Sequence, residues 1–205
     1  MPENKQISRL LHYRVILNRL YDLGFETVFS YGLAKEAGVS PEQVRKDFSK
    51  FGIKGNKKGG YNIQELLESI GAIFHKDEQR KVILIGTGNL GTALINYKGF
   101  AKNMINIAAA FDIDPVKYRK KIDIPVYPME KLKEVVDSLE VKTAIVAIPQ
   151  QVAQEVCTQL VDSGITGILN FTPAILKVPE NVYVYNIQIC NALESLIYKT
   201  IDSNR

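Results

Sequence analysis

Three glycines in the run Gly86-Thr87-Gly88-Asn89-Leu90-Gly91 directly follow the apolar segment Lys81-Val82-Ile83-Leu84-Ile85. Strand, tight turn and helix in that order predict a phosphate cradle. Gly86 permits the turn out of the strand, Gly88 lets the backbone approach a pyrophosphate, and Gly91 lets the helix pack close to the strand. The helix start, with Thr87, Asn89 and Leu90, then offers backbone N–H groups and partial positive charge to the phosphates. An acid stands at the end of the next predicted strand: Asp112, 21 residues after Gly91. A carboxylate there accepts hydrogen bonds from both ribose hydroxyls and repels a 2′-phosphate, so NAD(H) is expected rather than NADP(H). Taken alone, the glycine run is a weak signal, and Asp in Phe-Asp-Ile-Asp-Pro is also an ordinary turn residue; the whole context carries the reading. Ala147-Ile148-Pro149 and Asn170-Phe171-Thr172-Pro173 end later strands on the same edge of the sheet. Both are expected to flank the nicotinamide half of the cofactor, although each also reads as a strand terminator.

A second chemistry lies upstream. Residues Gln43 to Lys58 hold Arg45, Lys46, Lys50, Lys54, Lys57 and Lys58 against one acid, Asp47, a net +5 when the whole chain carries +4. Such a run is often only a solvated face, but its position matters. Ser40 is placed to cap a helix, Pro41 to occupy its first position and Gln43 to complete a capping box. Val44 and Phe48, four apart, share the buried face, whereas Arg45, Lys46 and Ser49 project elsewhere. A preceding helix over Ser30–Ala37, with Ser30 as cap and Gly38 as stop, is separated by Gly38-Val39, which suits a helix-turn-helix. The second helix of that motif reads bases in the major groove: the fork of Arg45 matches guanine O6 and N7, and lysines suit phosphates. Gly52 to Tyr61 is then a basic loop where a winged helix carries its wing. Ser40, Gln43, Arg45, Lys46, Ser49, Lys50, Lys54, Lys57, Lys58 and Tyr61 are the DNA-facing candidates. The bland alternative is a small helical bundle with a basic surface loop.

These residues need elements to hold them. A helix over Ile7–Asp22, ended by Gly24, supports the reading pair, and Asn62 with Glu65 opens another through about Ile73. From Lys81 strands and helices alternate: strands at Met104–Phe111, Pro125–Tyr127, Thr143–Ile148, Gly167–Phe171 and Val182–Ile187, with helices to about Tyr97, from Pro128 to Leu139 and over Gln150–Gly164. Repeated strand–helix units predict a Rossmann-like, doubly wound parallel sheet. The fold class is therefore α/β: an N-terminal winged helix-turn-helix domain (1–78), a Rossmann NAD(H)-binding domain (79–188) and a C-terminal helix (189–205). At 205 residues and 46% hydrophobic, the chain has enough material for two cores. It has no apolar run long enough for a membrane span and no signal-peptide pattern, so a cytoplasmic location is expected. Cys157 and Cys190 give neither a disulfide framework nor metal spacing, and both are read as buried thiols.

A dehydrogenase needs an acid or base beside the nicotinamide. The only histidines, His12 and His75, precede the nucleotide fold and are read as a partly buried helix residue and a linker residue. The 114 residues after Gly91 suffice to finish the sheet without a substrate domain. No catalytic residue and no metal is expected. The apolar side of the last helix, Leu193, Leu196, Ile197 and Ile201, suits dimerisation, or packing on its own domain. A small NAD-dependent oxidoreductase and a coenzyme A-binding domain stay as rivals.

With these residues placed, the chain resembles the Rex family of redox-sensing transcriptional repressors over nearly its whole length. The resemblance rests on Glu42-Gln43-Val44-Arg45-Lys46-Asp47-Phe48-Ser49 with Phe51-Gly52, on Gly59-Gly60-Tyr61, on the glycine turn, on Phe111-Asp112-Ile113-Asp114-Pro115 and on Gly167 to Pro173. It implies a homodimer with exchanged C-terminal helices, NADH and NAD+ competing for one site, and A·T-rich inverted-repeat operators in double-stranded DNA that are released when NADH accumulates. It also places Tyr97 near the nicotinamide. One departure stands out: where the family commonly has an aspartate before the last helix, pairing with an N-terminal arginine, this chain has Gln188, and Arg14 is the arginine's counterpart.

Overall fold

The computed structural model describes residues 5–55, 59–74, 79–119 and 123–202. The chain divides into two compact units, Met1–Glu78 and Gln79–Arg205.

The first unit contains α1 (Lys5–Asp22), β1 (Thr27–Val28), α2 (Ser30–Ala37), α3 (Pro41–Lys50), β2 (Tyr61–Asn62) and α4 (Ile63–Ile73). Apolar residues three and four apart on each helix converge on one core: Leu10, Tyr13 and Leu17 from α1, Leu33 from α2, Val44 and Phe48 from α3, and Ile63, Leu66 and Ile70 from α4. The Phe48 ring sits edge-on to Tyr13 and Tyr61, with centroids 5.7 and 5.1 Å away. Gly38 ends α2 in the left-handed region at φ 66°, so the turn into α3 is sharp. β1 and β2 pair antiparallel, Val28 opposite Tyr61, and fasten the loop that follows α3 back onto the helices.

Two capping expectations change. Phe29, not Ser30, caps α2; Ser30 is its first helical residue and its hydroxyl faces α3 instead. At α3 only half of the box forms: the Gln43 N–H donates to Ser40 Oγ at 3.2 Å, but the Gln43 amide turns away to Asp47. The second box is anchored as expected, with the Glu65 N–H donating to Asn62 Oδ1 at 3.0 Å. His12, expected to be partly buried, is exposed.

The second unit contains β3 (Arg80–Ile85), α5 (Asn89–Ile95), α6 (Lys98–Lys102), β4 (Ile105–Phe111), β5 (Val126–Tyr127), α7 (Leu132–Leu139), β6 (Thr143–Val146), α8 (Ala153–Asp162), β7 (Gly167–Asn170), β8 (Tyr183–Asn186) and α9 (Ile189–Asp202). The short α6 was not expected; the sequence pattern runs one helix to Tyr97. All six strands are parallel, in the order β5-β4-β3-β6-β7-β8. The chain winds outward from β3 to one edge, returns to β6 and winds to the other edge. The winding direction reverses between β3 and β6, which is where a doubly wound sheet opens its ligand crevice. Because side chains alternate across a strand, two cores form. Ile83, Ile85, Phe111 and Val146 pack on one face with Val136 of α7 and Leu160 of α8. Val82, Leu84, Ile107 and Ile145 pack on the other with Leu94 of α5 and Phe100 of α6.

Cys157 lies in the first of these cores, and burial pushes its thiol pKa up. Cys190 is exposed, contrary to expectation. α9 is exposed throughout its described side chains, with Leu193 56%, Leu196 57% and Ile201 60% accessible. No helix among the described residues is long and apolar enough to cross a membrane.

Candidate functional site

The glycine turn sits at the reversal of the sheet, and the three glycines are needed for three different reasons. Gly86 has φ 94°, and a Cβ there would stand 2.4 Å from the carbonyl oxygen of Ala147 at the end of β6. A Cβ on Gly91 would stand 2.0 Å from the Gly86 carbonyl oxygen, so α5 packs on the turn only without one. A Cβ on Gly88 would meet nothing within 4 Å. Two glycines therefore serve the fold, and the third leaves open space beside the backbone of the turn. The residues present fit a dinucleotide cradle.

Asp112 closes the turn from the side. Its Oδ2 accepts from the Thr87 N–H at 2.8 Å and the Thr87 hydroxyl at 2.6 Å, and its Oδ1 accepts from the Asp114 N–H at 3.0 Å. Partial burial pushes its pKa up; the Thr87 hydroxyl, the two backbone N–H groups and the nearby Lys117 outweigh that and hold it below the ordinary carboxylate value. Besides the expected ribose contact, Asp112 is open to a structural reading: its carboxylate ties the glycine turn to the end of β4. Thr87, a cradle candidate, is buried and turned toward Asp112.

A mainly apolar cavity of about 450 Å³ opens beside this carboxylate. Gly86, Gly88, Asp112, Ala147, Ile148 and Pro149 all line it. Lys117, Met129 and Val156 line it too, and the sequence reading missed them. Lys117 was legible only as a base five residues after Asp112; Met129 and Val156 carry no local signal, since they reach the cavity from separate elements.

Tyr97, Asn170, Phe171, Pro173 and Gln188 do not line this cavity. Tyr97 is exposed, its ring edge-on to Phe100 at 5.1 Å. Asn170 is wholly buried with its amide spent internally: Nδ2 donates to the Ala174 carbonyl and Asn186 Oδ1, and Oδ1 accepts from the Thr172 N–H and hydroxyl. These bonds shape the Phe171–Pro173 turn. Gln188 is exposed at the start of α9, and its Oε1 accepts from Asn191 Nδ2.

In the first unit, α3 presents Arg45, Lys46, Ser49 and Lys50 on its exposed side, and Lys54 follows in the loop. Lys57 and Lys58, like His75, lie outside the described residues. Tyr61 is partly buried, its ring against Phe48 and so close to Gly55 that a Cβ there would stand 2.4 Å away. Arg45 is already engaged: Nη1 donates to Ser30 Oγ at 3.0 Å and Nη2 to Glu42 Oε1 at 2.9 Å.

Asp47, read in the sequence only as the one acid of a basic run, is wholly buried. Arg9 forks onto it, Nε to Oδ2 at 2.6 Å and Nη2 to Oδ1 at 2.7 Å; the Tyr13 hydroxyl donates at 3.0 Å and the Gln43 amide at 2.8 Å. Burial pushes the Asp47 pKa up, but the bonds from Arg9, Tyr13 and Gln43 more than offset it and leave it lowered. Tyr13 is pushed up by its own burial and by Asp47. This cluster pins α3 to α1 and engages the side-chain amide of Gln43, one of the DNA-facing candidates.

Two family models match the chain: "Putative DNA-binding protein N-terminus" over residues 4–49 and "CoA binding domain" over residues 77–174. A redox-sensing transcriptional repressor Rex from Pelotomaculum thermopropionicum is 40% identical over 196 residues, 95% of this chain and 92% of that protein. Another from Carboxydothermus hydrogenoformans is 42% identical, over 94% of this chain and 93% of that one. Among solved structures, RSP in complex with NAD+ and operator DNA aligns with a TM-score of 0.91 at 32% identity, over all of this chain and 94% of that one. RSP in complex with NADH aligns at 0.89 and 31%, over all of this chain and 96% of that one.

Proposed function

The chain belongs to the Rex family of redox-sensing transcriptional repressors, and from that premise we propose that it is itself a homodimeric repressor that senses the ratio of NADH to NAD+. In this reading α3 enters the major groove of an A·T-rich inverted repeat, and Arg45, Lys46 and Ser49 face the bases. Lys50, Lys54, Lys57 and Lys58 face phosphates. The glycine turn holds the pyrophosphate and the cavity beside Asp112 takes the adenosine. Tyr97 and the Asn170–Pro173 turn flank the nicotinamide, and the Ala147–Pro149 turn, which also lines that cavity, runs between the two ends of the cofactor. The observation that carries the proposal is the pairing, in one chain, of a cradle open at Gly88 with a helix whose outward face is basic. RSP, which covers the same length, is described with both operator DNA and the two forms of the cofactor. A binding rather than a catalytic role is supported by the relatives' common description as repressors.

The switch needs a difference in affinity. NADH shifts nothing unless it binds the DNA-incompetent arrangement more tightly than the competent one. The nicotinamide ring loses its positive charge on reduction, so an apolar flank favours NADH. A second copy is supported by the exposed apolar side of α9, which is suited to exchange between subunits. In the family resemblance an aspartate at the Gln188 position pairs with the counterpart of Arg14, and a neutral amide there gives at most a weaker hydrogen bond than a carboxylate. Gln188→Asp is therefore expected to lower the NADH concentration for half-release; an unchanged value removes this part.

The test is fluorescence anisotropy of a labelled A·T-rich inverted-repeat duplex, titrated with NADH and then NAD+. Binding released by NADH and not by NAD+ is expected. Binding indifferent to both keeps the DNA role and removes the sensor; no binding removes the repressor reading.

A further inference from the structure

Arg45 does not stand alone on α3. Its guanidinium has five N–H donors in one plane. One donates to Ser30 Oγ, from α2, and another to Glu42 Oε1, one turn earlier on α3. Two anchors on different elements fix the plane as well as the position, and they use two of its five N–H groups. Glu42 is itself held. Its own backbone N–H, then the Ser40 hydroxyl, then Arg45 bring its pKa below the ordinary carboxylate value, so it stays charged. All of this lies at the end of α3 that enters the groove first in a helix-turn-helix.

Glu42 is an odd residue to find there. It is 75% exposed at the side chain, and an exposed ion pair of this kind adds little stability. Its charge also opposes phosphates on every duplex, whatever the sequence. What it supplies is orientation: a guanidinium that meets guanine O6 and N7 in register must be coplanar with the base edge, and a free Arg side chain loses rotamer entropy to get there.

We propose that Glu42 and Ser30 are the specificity-determining residues behind Arg45: they hold its guanidinium for a guanine in each half-site, at the cost of weaker binding to DNA without one. This rests on α3 being the reading helix. It predicts effects of opposite sign. Removing Glu42 loosens discrimination while it tightens non-specific binding, and a residue that only supports the fold would weaken both.

The full chain is first used to select its preferred duplex from a randomised pool. Each guanine of that duplex is then replaced in turn by 7-deazaguanine, which lacks the N7 acceptor. For the wild type, roughly a tenfold loss of affinity is expected at one guanine per half-site. In Glu42→Ala that loss shrinks below about threefold, while affinity for a random-sequence duplex rises about twofold to fivefold. Glu42→Gln keeps an acceptor oxygen and restores most of the discrimination. Ser30→Ala, which alters no charge and lies outside α3, loses discrimination without gaining non-specific affinity. Glu42→Ala with wild-type discrimination overturns the proposal. Arg45→Ala separates the two failures: if it keeps full affinity for the selected duplex, or if the pool yields no duplex at all, the reading of α3 is itself wrong.

Discussion

Asp47 in the first unit and Asp112 in the second are both carboxylates held below their ordinary pKa, and they are held for different ends. Asp47 is sealed: four donors from Arg9, Tyr13 and Gln43 surround it, and it has no exposure left for a ligand. Asp112 is only partly buried, its donors come from the turn it steadies, and its outer side borders the cavity. The first fixes a helix from inside the core; the second fixes a loop and borders an open cavity. Two aspartates of similar pKa direction are told apart by what stands on the side away from their donors. Perturbation alone does not mark a functional group.

The largest effect that bears on this contrast is expected from Asp47→Ala. It leaves Arg9 partly buried without its partner, and breaking such a pair costs about 3–5 kcal/mol. Urea unfolding followed on the first unit reads this, and NADH affinity at the second unit stays within about twofold if the carboxylate is purely structural. Asp47 also sets an acid limit. A depressed pKa contributes stability above the unfolded value and loses it as pH falls through the folded one, so the first unit weakens below about pH 4. Asp47→Asn removes most of that limb.

Asp112→Ala is expected to act next, at about 1.5–3 kcal/mol, the range for hydrogen bonds to a charged group. Titration calorimetry with NAD+, NADH and ADP checks it: all three weaken by the same factor, because all share the adenosine end. Loss of the nicotinamide forms alone breaks the contrast with Asp47. Gly88→Ala sharpens it further. The added methyl meets no atom of the protein, so thermal stability holds while dinucleotide affinity falls about tenfold or more. The smallest effect belongs to Lys54→Ala, which reduces the slope of log affinity against log salt by about one and leaves base preference unchanged.

Local patterns were legible, and tertiary partners were not. The glycine turn, the alternation of strands and helices from Lys81, and the caps at Ser40 and Asn62 are encoded within a few residues, and they recur in the structure within four residues of the expected bounds. Asp47 carries no local signal for its role, because Arg9 and Tyr13 lie 38 and 34 residues earlier in the chain. Ser30 looked like a cap because Ser often is one, but the chain turns at Phe29 and frees its hydroxyl for Arg45, 15 residues on. Asn170 stood at a strand end on the ligand edge, where sequence suggests a ligand contact; only the positions of Thr172, Ala174 and Asn186 reveal that its amide is already used. His12 and Cys190 were given buried faces on helices whose packing partners the sequence does not name.

α9 buries none of its described side chains in its own chain. A fourteen-residue helix by itself is marginal in water, so its order is borrowed, in the reading above, from a second copy. Mass action then enters the protein's stability: the melting temperature rises with the amount of protein, and dilution alone unravels the tail. In such a dimer, the amount of protein is a second quantity to which the proposed switch responds.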